Sequence, residues 1–152
     1  TLKTDETFWD WSINVNLRSY FFACQSVIPG MQAAGGGSII NFSSISYMMA
    51  DKGYAAYITA NAGIVGLTRT LAREFGPDRV RVNAVAPGWV LTDRQKEHWV
   101  TPEALAAHLA RQCLPDPIQP DDMAGIVLFL ASDASRMMTS QTLILDGGYI
   151  SS

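Results

Sequence analysis

The chain has 152 residues, of which 48% are hydrophobic and 16% are charged, and its formal net charge is -3. This length suffices for one domain with a substantial core, and an acidic chain without clustered Lys and Arg is not typical of a nucleic-acid-binding protein. No apolar run approaches the roughly 18 residues of a membrane span, so we expect neither a nucleic-acid partner nor a membrane. The mean hydropathy of +0.09 favours a buried parallel sheet or large surfaces that contact partners.

The first half of the chain predicts two long helices on either side of a short strand. The first helix is expected over residues 4–31, in two segments, with Pro29 disturbing its end. Three glycines at 35–37 lack the Gly-Lys-Ser/Thr ending of a phosphate-binding P-loop and predict only a turn. An apolar strand is expected at 38–42, and the second helix is expected over 55–75.

The second half continues the alternation of helices and strands. A strand is expected at 80–85, and a polar insertion at 92–118 is expected to hold a short helix at 102–112. A helix over 121–131 and a strand at 142–145 complete the chain. Continuous apolar strands that alternate with helices indicate an α/β fold with a parallel sheet covered by helices on both faces. Three strands make a small sheet, so we expect further strands beside them.

The cysteines and histidines do not predict a metal site. Cys24 and Cys113 lie far apart, without a Cys-x-x-Cys pattern, and are expected to be reduced thiols in a cytoplasmic protein. His98 and His108 are ten residues apart, which places them on different faces of a helix, so a shared metal ion is not expected.

Five short motifs occur along the chain in a fixed order. They are NVNL at 14–17, IINFSS at 39–44, YITANAG at 57–63, RVNAVAPG at 81–88 and DGG at 146–148. In this order and spacing they resemble the short-chain dehydrogenase/reductase family, and the resemblance covers essentially the whole chain. It implies a Rossmann-like, doubly wound, three-layer fold and an NAD(P)-dependent oxidoreductase that interconverts an alcohol and a carbonyl by hydride transfer.

The resemblance assigns roles to three residues. It implies that Tyr57 is the general acid/base for the substrate oxygen, that Ser44 orients that oxygen, and that Asn16 holds a water in the proton relay. Each residue also has a simpler explanation when taken singly. Asn16 could bend its helix locally, Ser44 could be one of several turn serines, and Tyr57 could be a core aromatic residue. The order and spacing of all three favour the catalytic interpretation.

The same resemblance implies a cofactor site for NAD or NADP. Its residues are Tyr57, Asn61, Pro87, Gly88, Val90 and Thr92. The family begins with a glycine-rich βαβ unit that binds the pyrophosphate, and no such unit occurs in this sequence. We therefore expect residues 1–152 to be the C-terminal catalytic half of such a domain, truncated and weak in dinucleotide binding by itself. The sequence does not indicate whether the cofactor is NAD or NADP, because the family's discriminating residue belongs to the absent half.

Asn61 departs from the family pattern, which has lysine four residues after the tyrosine. The resemblance implies that this lysine stabilises the phenolate and binds the nicotinamide ribose. A free tyrosine has a pKa near 10, so only about one in a thousand is ionised at neutral pH. Because asparagine supplies no positive charge, we expect Asn61 to take the lysine's place in the site at the cost of strongly reduced activity.

The insertion at 92–118 and its surroundings suggest the substrate. Indole faces and amides suit a polyhydroxylated ligand such as a sugar. The candidate substrate residues are Ser44, Ser46, Trp89, Gln95 and Trp99, with Gln112 as a further amide. This part of the chain looks similar to bacterial aldose 1-dehydrogenases, and a 3-oxoacyl-carrier-protein reductase is the alternative within the family.

The resemblance also implies a homo-oligomer, a dimer or tetramer, that pairs through the long helices. A different class of function therefore stays open, namely a non-catalytic, oligomerising fragment or scaffold. The truncated enzyme is the favoured interpretation.

Overall fold

A parallel sheet of three strands forms the centre of the computed structural model, which describes residues 1–49 and 52–150. The strands are β1 (Gly37–Phe42), β2 (Val80–Pro87) and β3 (Thr142–Leu145), in the order β1-β2-β3. In the register of the sheet, Phe42 pairs with Val85 and Ala84 pairs with Thr142. The central strand β2 is almost entirely buried, as expected for a strand that has neighbours on both edges and helices on both faces.

The first helix is continuous but not uniform. It consists of α1 (Glu6–Ile13), a π-helical turn (Asn14–Arg18) and α2 (Ser19–Ala33). The prediction that Pro29 disturbs its end is wrong, because α2 passes through Pro29 to Ala33. Proline removes one N–H donor, which leaves the carbonyl of Gln25 without a helical partner. Gln25 lies on the exposed face, where water can bind that carbonyl.

The second long helix, α4 (Ala55–Phe75), has the predicted bounds and follows the short α3 (Ser46–Met49). Its buried residues recur at helical spacing and face the sheet. They are Ala56, Ala60, Asn61, Ile64, Thr68, Leu71 and Ala72.

The insertion holds two helices rather than one. They are α5 (Asp93–His98) and α6 (Pro102–Leu109), and α7 (Pro120–Ala131) follows. The predicted helix at 102–112 is thus three residues too long, and α5 was not expected. Threonine side chains at positions 92 and 101 accept hydrogen bonds from the first turns of α5 and α6, so each short helix has its own N-cap.

Helices cover both faces of the sheet. Cys24 of α2 and Leu71 of α4 pack with Ile39 of β1 in one apolar cluster. The neighbouring Ser38 points to the opposite face and donates to the carbonyl oxygen of Leu130 in α7 at 2.8 Å. The predicted fold class is confirmed as three parallel strands flanked by helices. Among the described residues, no helix is both long and apolar enough to span a membrane.

Candidate active site

Ser44 lies at the carboxyl end of β1, on the edge of the sheet where open α/β folds bind ligands. The backbone around it is fixed to the next strand, because Ser43 N donates to Val85 O at 2.8 Å and Ile45 N donates to Pro87 O at 3.2 Å. Ser44 is half-buried, and its Oγ accepts a hydrogen bond from Ser46 N at 3.2 Å. Among the described residues the Ser44 hydroxyl donates no hydrogen bond, so its proton can be donated to a ligand.

Tyr57 lies in the first turn of α4 and its side chain is 40% exposed. A buried hydrogen bond ties this end of α4 to the end of β1, since Ser43 Oγ donates to Asn61 O at 2.9 Å. Ser43 is the neighbour of Ser44, and Asn61 is one helical turn after Tyr57. This bond therefore holds the two predicted catalytic residues at the same edge of the sheet.

Asn61 is almost completely buried, with 3% exposure. Its Nδ2 donates to the carbonyl oxygen of Tyr57 at 2.9 Å. This bond joins residues four apart on the same helix, so the Asn61 side-chain amide is hydrogen-bonded to the backbone of its own helix. The amide group supplies no charge at the position where the resemblance implies a lysine.

Asn16 lies in the π-helical turn between α1 and α2, a geometry that is frequent at functional sites. Its Nδ2 donates to Ser12 O at 2.9 Å, so the simple interpretation as a helix-bending residue and the catalytic one both fit its position. The next residue, Leu17, packs against α4 so closely that a Cβ added at Gly63 would lie 2.7 Å from Leu17 Cδ2. The glycine thus allows the Asn16 turn to approach the helix that carries Tyr57.

Tyr20 is a residue of this region that the sequence analysis missed. Its pKa is raised from 10.0, first by burial and then by the nearby phenol of Tyr57, while a hydrogen bond with the backbone of Phe42 lowers it. Tyr20 is four residues after Asn16, and that spacing on one helix was the available signal.

The loop after β2 is closely packed against the turn that follows β3. A Cβ added at Gly88 would lie 2.9 Å from Asp146 Cα, and Gly88 N donates to Leu145 O at 2.8 Å. Val90 forms an isolated parallel bridge with Ile118. Of the predicted cofactor residues in this loop, Pro87 ends β2 and Thr92 caps α5 through a hydrogen bond from Gln95 N at 3.3 Å.

Two of the predicted substrate residues contact each other. Trp89 Nε1 donates to Gln95 Oε1 at 2.8 Å, so the indole is held at the beginning of the insertion. Trp99 is 54% exposed, and its ring contacts His98 and the Arg94 guanidinium.

The remaining predicted substrate residue, Ser46, has a buried Oγ without a hydrogen-bond partner among the described residues. A buried hydroxyl without a partner is uncommon in folded proteins.

Comparisons with known proteins identify the family of the chain. A family model described as enoyl-(acyl carrier protein) reductase matches residues 1–150. A Rhizobium meliloti protein described as probable galactose dehydrogenase is 52% identical over 143 residues, which are 94% of this chain and 56% of that protein. The D-xylose 1-dehydrogenase of Caulobacter vibrioides is 50% identical over 142 residues, which are 93% of this chain and 57% of that protein.

A solved structure has the same fold. The complex of 7 alpha-hydroxysteroid dehydrogenase with NADH and 7-oxo glycochenodeoxycholic acid superposes with a TM-score of 0.92 at 31% identity, over 96% of this chain and 57% of that one. The chain thus spans a little over half the length of these relatives. With a family model that matches nearly every residue, the chain belongs to the short-chain dehydrogenase/reductase family.

Proposed function

We propose that this chain supplies the catalytic edge of an NAD(P)-dependent oxidoreductase that interconverts a sugar hydroxyl and a carbonyl by hydride transfer. The observation that carries the proposal is the bond from Ser43 Oγ to Asn61 O at 2.9 Å. This bond fixes the first turns of α4, in which Tyr57 is exposed, to the strand end that carries Ser44, and this supports a catalytic role for both side chains. A phenol and a hydroxyl at one edge are the groups that acid/base chemistry on an alcohol or carbonyl oxygen requires.

The three residues have distinct roles in this proposal. Tyr57 takes a proton from the substrate hydroxyl in oxidation and returns it to the carbonyl oxygen in reduction. Ser44 donates a hydrogen bond to the same oxygen and thereby orients it. Asn16 holds a water that connects Tyr57 with solvent. The half-buried position of Asn16 beside α4 is compatible with that role.

The residues fit a nicotinamide at the carboxyl edge, with one exception. A bound nicotinamide would exchange a hydride with the substrate carbon. Thr92 accepts a hydrogen bond from Gln95 N and retains a hydroxyl proton, which can bind an amide oxygen. The remaining proposed contacts are made by Tyr57 and by the backbone of Pro87, Gly88 and Val90. The exception is Asn61, whose Nδ2 already bonds to Tyr57 O and which offers no ammonium to a ribose.

The substrate class rests on similarity and on the Trp89–Gln95 pair. The two sugar dehydrogenases match the chain at 52% and 50% identity. Trp89 offers an apolar ring and Gln95 retains its side-chain NH2, and this combination suits a ring with C–H faces and hydroxyl groups. The alternative is a 3-oxoacyl-carrier-protein reductase, and relatives with that description match the chain at 37% and 39% identity.

We further propose that the oxidoreductase is a cytoplasmic homo-oligomer. Large apolar residues of α1 and α2 are exposed, and an exposed apolar face of this kind supports association between copies. They include Phe8, Trp11, Val15, Phe21, Phe22 and Val27. Cys24 and Cys113 are both free thiols, which supports a reducing compartment. If the chain acts only as an oligomerising scaffold, this association would persist while every activity assay stays negative.

The test uses a hybrid protein, because the chain spans 56% of the galactose dehydrogenase relative. In the hybrid, this chain replaces the matching segment of the Rhizobium meliloti protein. Aldoses and 3-oxoacyl thioesters are supplied in turn with NAD(H) or NADP(H), and the change in reduced nicotinamide is measured. We expect slow turnover of aldoses and none of acyl thioesters. The opposite preference would establish the alternative, and no turnover of either class, even after Asn61→Lys, would contradict the proposal.

A further inference from the structure

Three rings from distant parts of the sequence form what we call the aromatic ladder, which consists of Trp89, His108 and Tyr149. The ring centroids of Trp89 and His108 are 5.1 Å apart with the planes at 79°. Those of His108 and Tyr149 are 4.4 Å apart with the planes at 15°. The imidazole therefore lies between the loop after β2 and the turn after β3, and it is contributed by α6 of the insertion.

The groups around His108 do little to stabilise a protonated imidazole. The Asp146 carboxylate already accepts hydrogen bonds from Gly148 N and Ile150 N, both at 2.8 Å. The Arg111 guanidinium lies 4.3 Å from the centroid of Tyr149, so a permanent cation is present at the ring on which His108 stacks. The Arg111 cation opposes a second positive charge at this position, and the Asp146 carboxylate, with its oxygens already engaged, offsets this only in part.

The polar atoms next to the imidazole lead to the same conclusion. His108 Nε2 and Gln112 Oε1 are buried, and neither has a hydrogen-bond partner of standard geometry among the described residues. The amide oxygen can accept one N–H from a neutral imidazole after a small movement, whereas an imidazolium has two N–H groups to satisfy. Burial lowers the pKa of His108 from 6.5; Gln112 and Asp146 raise it, and Arg111 lowers it further.

We propose that His108 is a positioning residue that holds the Trp89 indole at the insertion only while the imidazole is neutral. The indole has two supports, the His108 ring and the bond from its Nε1 to Gln95 Oε1. Protonation of His108 adds a charge to a half-buried imidazole whose Nε2 is buried without a partner among the described residues, and it thereby separates the rings and loosens Trp89. The consequence for sugar binding rests on the function proposed above, but the ladder and its pH dependence do not.

The sign of the pH dependence follows from the lowered pKa. The unfolded chain binds a proton at His108 near pH 6.5, whereas the folded chain binds it only at lower pH. The ladder therefore stabilises the fold fully above about pH 6.5, and this stabilisation is lost as the pH falls from there towards the folded pKa.

The first experiment needs no substitution in the ladder. The chain has two histidines and four tryptophans, so the imidazole and indole N–H resonances of the full chain can be assigned by NMR and followed from about pH 8 to pH 5. We expect the His108 resonance to titrate below pH 6.5 and the Trp89 indole N–H resonance to shift with the same midpoint. A His108 midpoint at or above 6.5, or a Trp89 resonance that does not follow it, would overturn the proposal.

The second experiment uses the other histidine–tryptophan contact as a matched control. His98 and Trp99 have ring centroids 5.4 Å apart, but both residues are exposed. In the chain carrying Trp99→Phe, acidification should shift tryptophan emission to longer wavelength, because Trp89 becomes more exposed to water once the rings separate. His108→Gln should abolish this pH-dependent shift and His98→Gln should leave it unchanged. A shift that survives His108→Gln would refute the role of His108, and the NMR titration decides the question if that variant fails to fold.

Discussion

Asn61 Nδ2 donates to the carbonyl oxygen of Tyr57 at 2.9 Å, within the first turns of α4. The bond is local and partly buried, so it stabilises the helix that presents the phenol without placing any charge near it. A lysine at the same position would extend beyond the helix surface and carry its ammonium towards the edge of the sheet. With asparagine at position 61, the chain can therefore fold like its relatives. It lacks, however, the one cation that the family resemblance assigns to the catalytic group.

Tyr57→Phe is expected to abolish turnover without reducing stability. The phenol is 40% exposed, so the fold gains little from its hydroxyl, whereas removal of a general acid/base typically costs 100-fold or more. The rate of aldose oxidation by the hybrid carrying Asn61→Lys is the readout. Tyr54→Phe is the matched control, since Tyr54 is 61% exposed and lies just before α4. Equal rates for the two variants would remove Tyr57 from the catalytic group.

The adjacent serines should separate stability from activity. Ser43→Ala removes the bond to Asn61 O and should lower the free energy of unfolding by about 1 kcal/mol. Ser44→Ala removes only an acceptor for Ser46 N, so stability should change little while turnover falls about 100-fold. Urea unfolding of the chain and turnover of the hybrid measure the two effects. If Ser43→Ala lost activity and Ser44→Ala did not, the assignment of the catalytic hydroxyl to Ser44 would be wrong.

A buried polar pair beneath the site should be important for stability. Asn41 Nδ2 donates to Thr68 Oγ1 at 3.0 Å, and Thr68 is fully buried. Thr68→Val keeps the shape of the side chain but leaves the amide without an acceptor, which should cost about 1–3 kcal/mol. Thr70→Val, at an exposed position of the same helix, should change stability by less than about 0.5 kcal/mol. Equal urea midpoints for the two variants would contradict this assignment.

The two thiols should differ in reactivity. Cys24 is buried in the apolar cluster, and burial is the main cause that raises its pKa above 9.0, while Cys113 is exposed. A disulfide reagent should therefore modify Cys113 rapidly and Cys24 only when the chain unfolds. Because Cys24 ionises more easily in the unfolded chain, its contribution to stability is complete below about pH 9 and is lost at higher pH. Cys24→Ala should reduce this alkaline loss of stability, and rapid modification of both thiols would contradict the assigned burial.

Local sequence patterns predicted the regular part of the fold well. The bounds of α4 and β3 follow from continuous apolar spacing that ends at glycine or proline, and the structure reproduces both. Pro29 misled the prediction because sequence alone does not show that the orphaned carbonyl faces water. The helix α5 was missed because Asp93–His98 contains no apolar residue, so its only local signal is the cap at Thr92.

The contacts that assemble the site were harder to predict from the sequence. Ser44 and Tyr57 were identified from ordered motifs, but the bond from Ser43 to Asn61 joins residues 18 apart and has no local pattern. The contact of Tyr149 with His108 likewise depends on how the turn after β3 meets α6. Such contacts are fixed by tertiary packing, and periodicity within single elements does not predict them.

The most direct test of the account is the turnover of the hybrid with and without Asn61→Lys, with Asn61→Gln as a neutral control. The substitution to lysine adds a positive charge one helical turn after Tyr57, which favours the ionised phenol during proton transfer, and we expect aldose turnover to rise about 100-fold or more. Asn61→Gln should leave the rate within about twofold of the Asn61 hybrid, a change of less than about 0.5 kcal/mol in the barrier. Equal turnover of the asparagine and lysine hybrids would show that residue 61 does not act on Tyr57 and would contradict the proposed catalytic group.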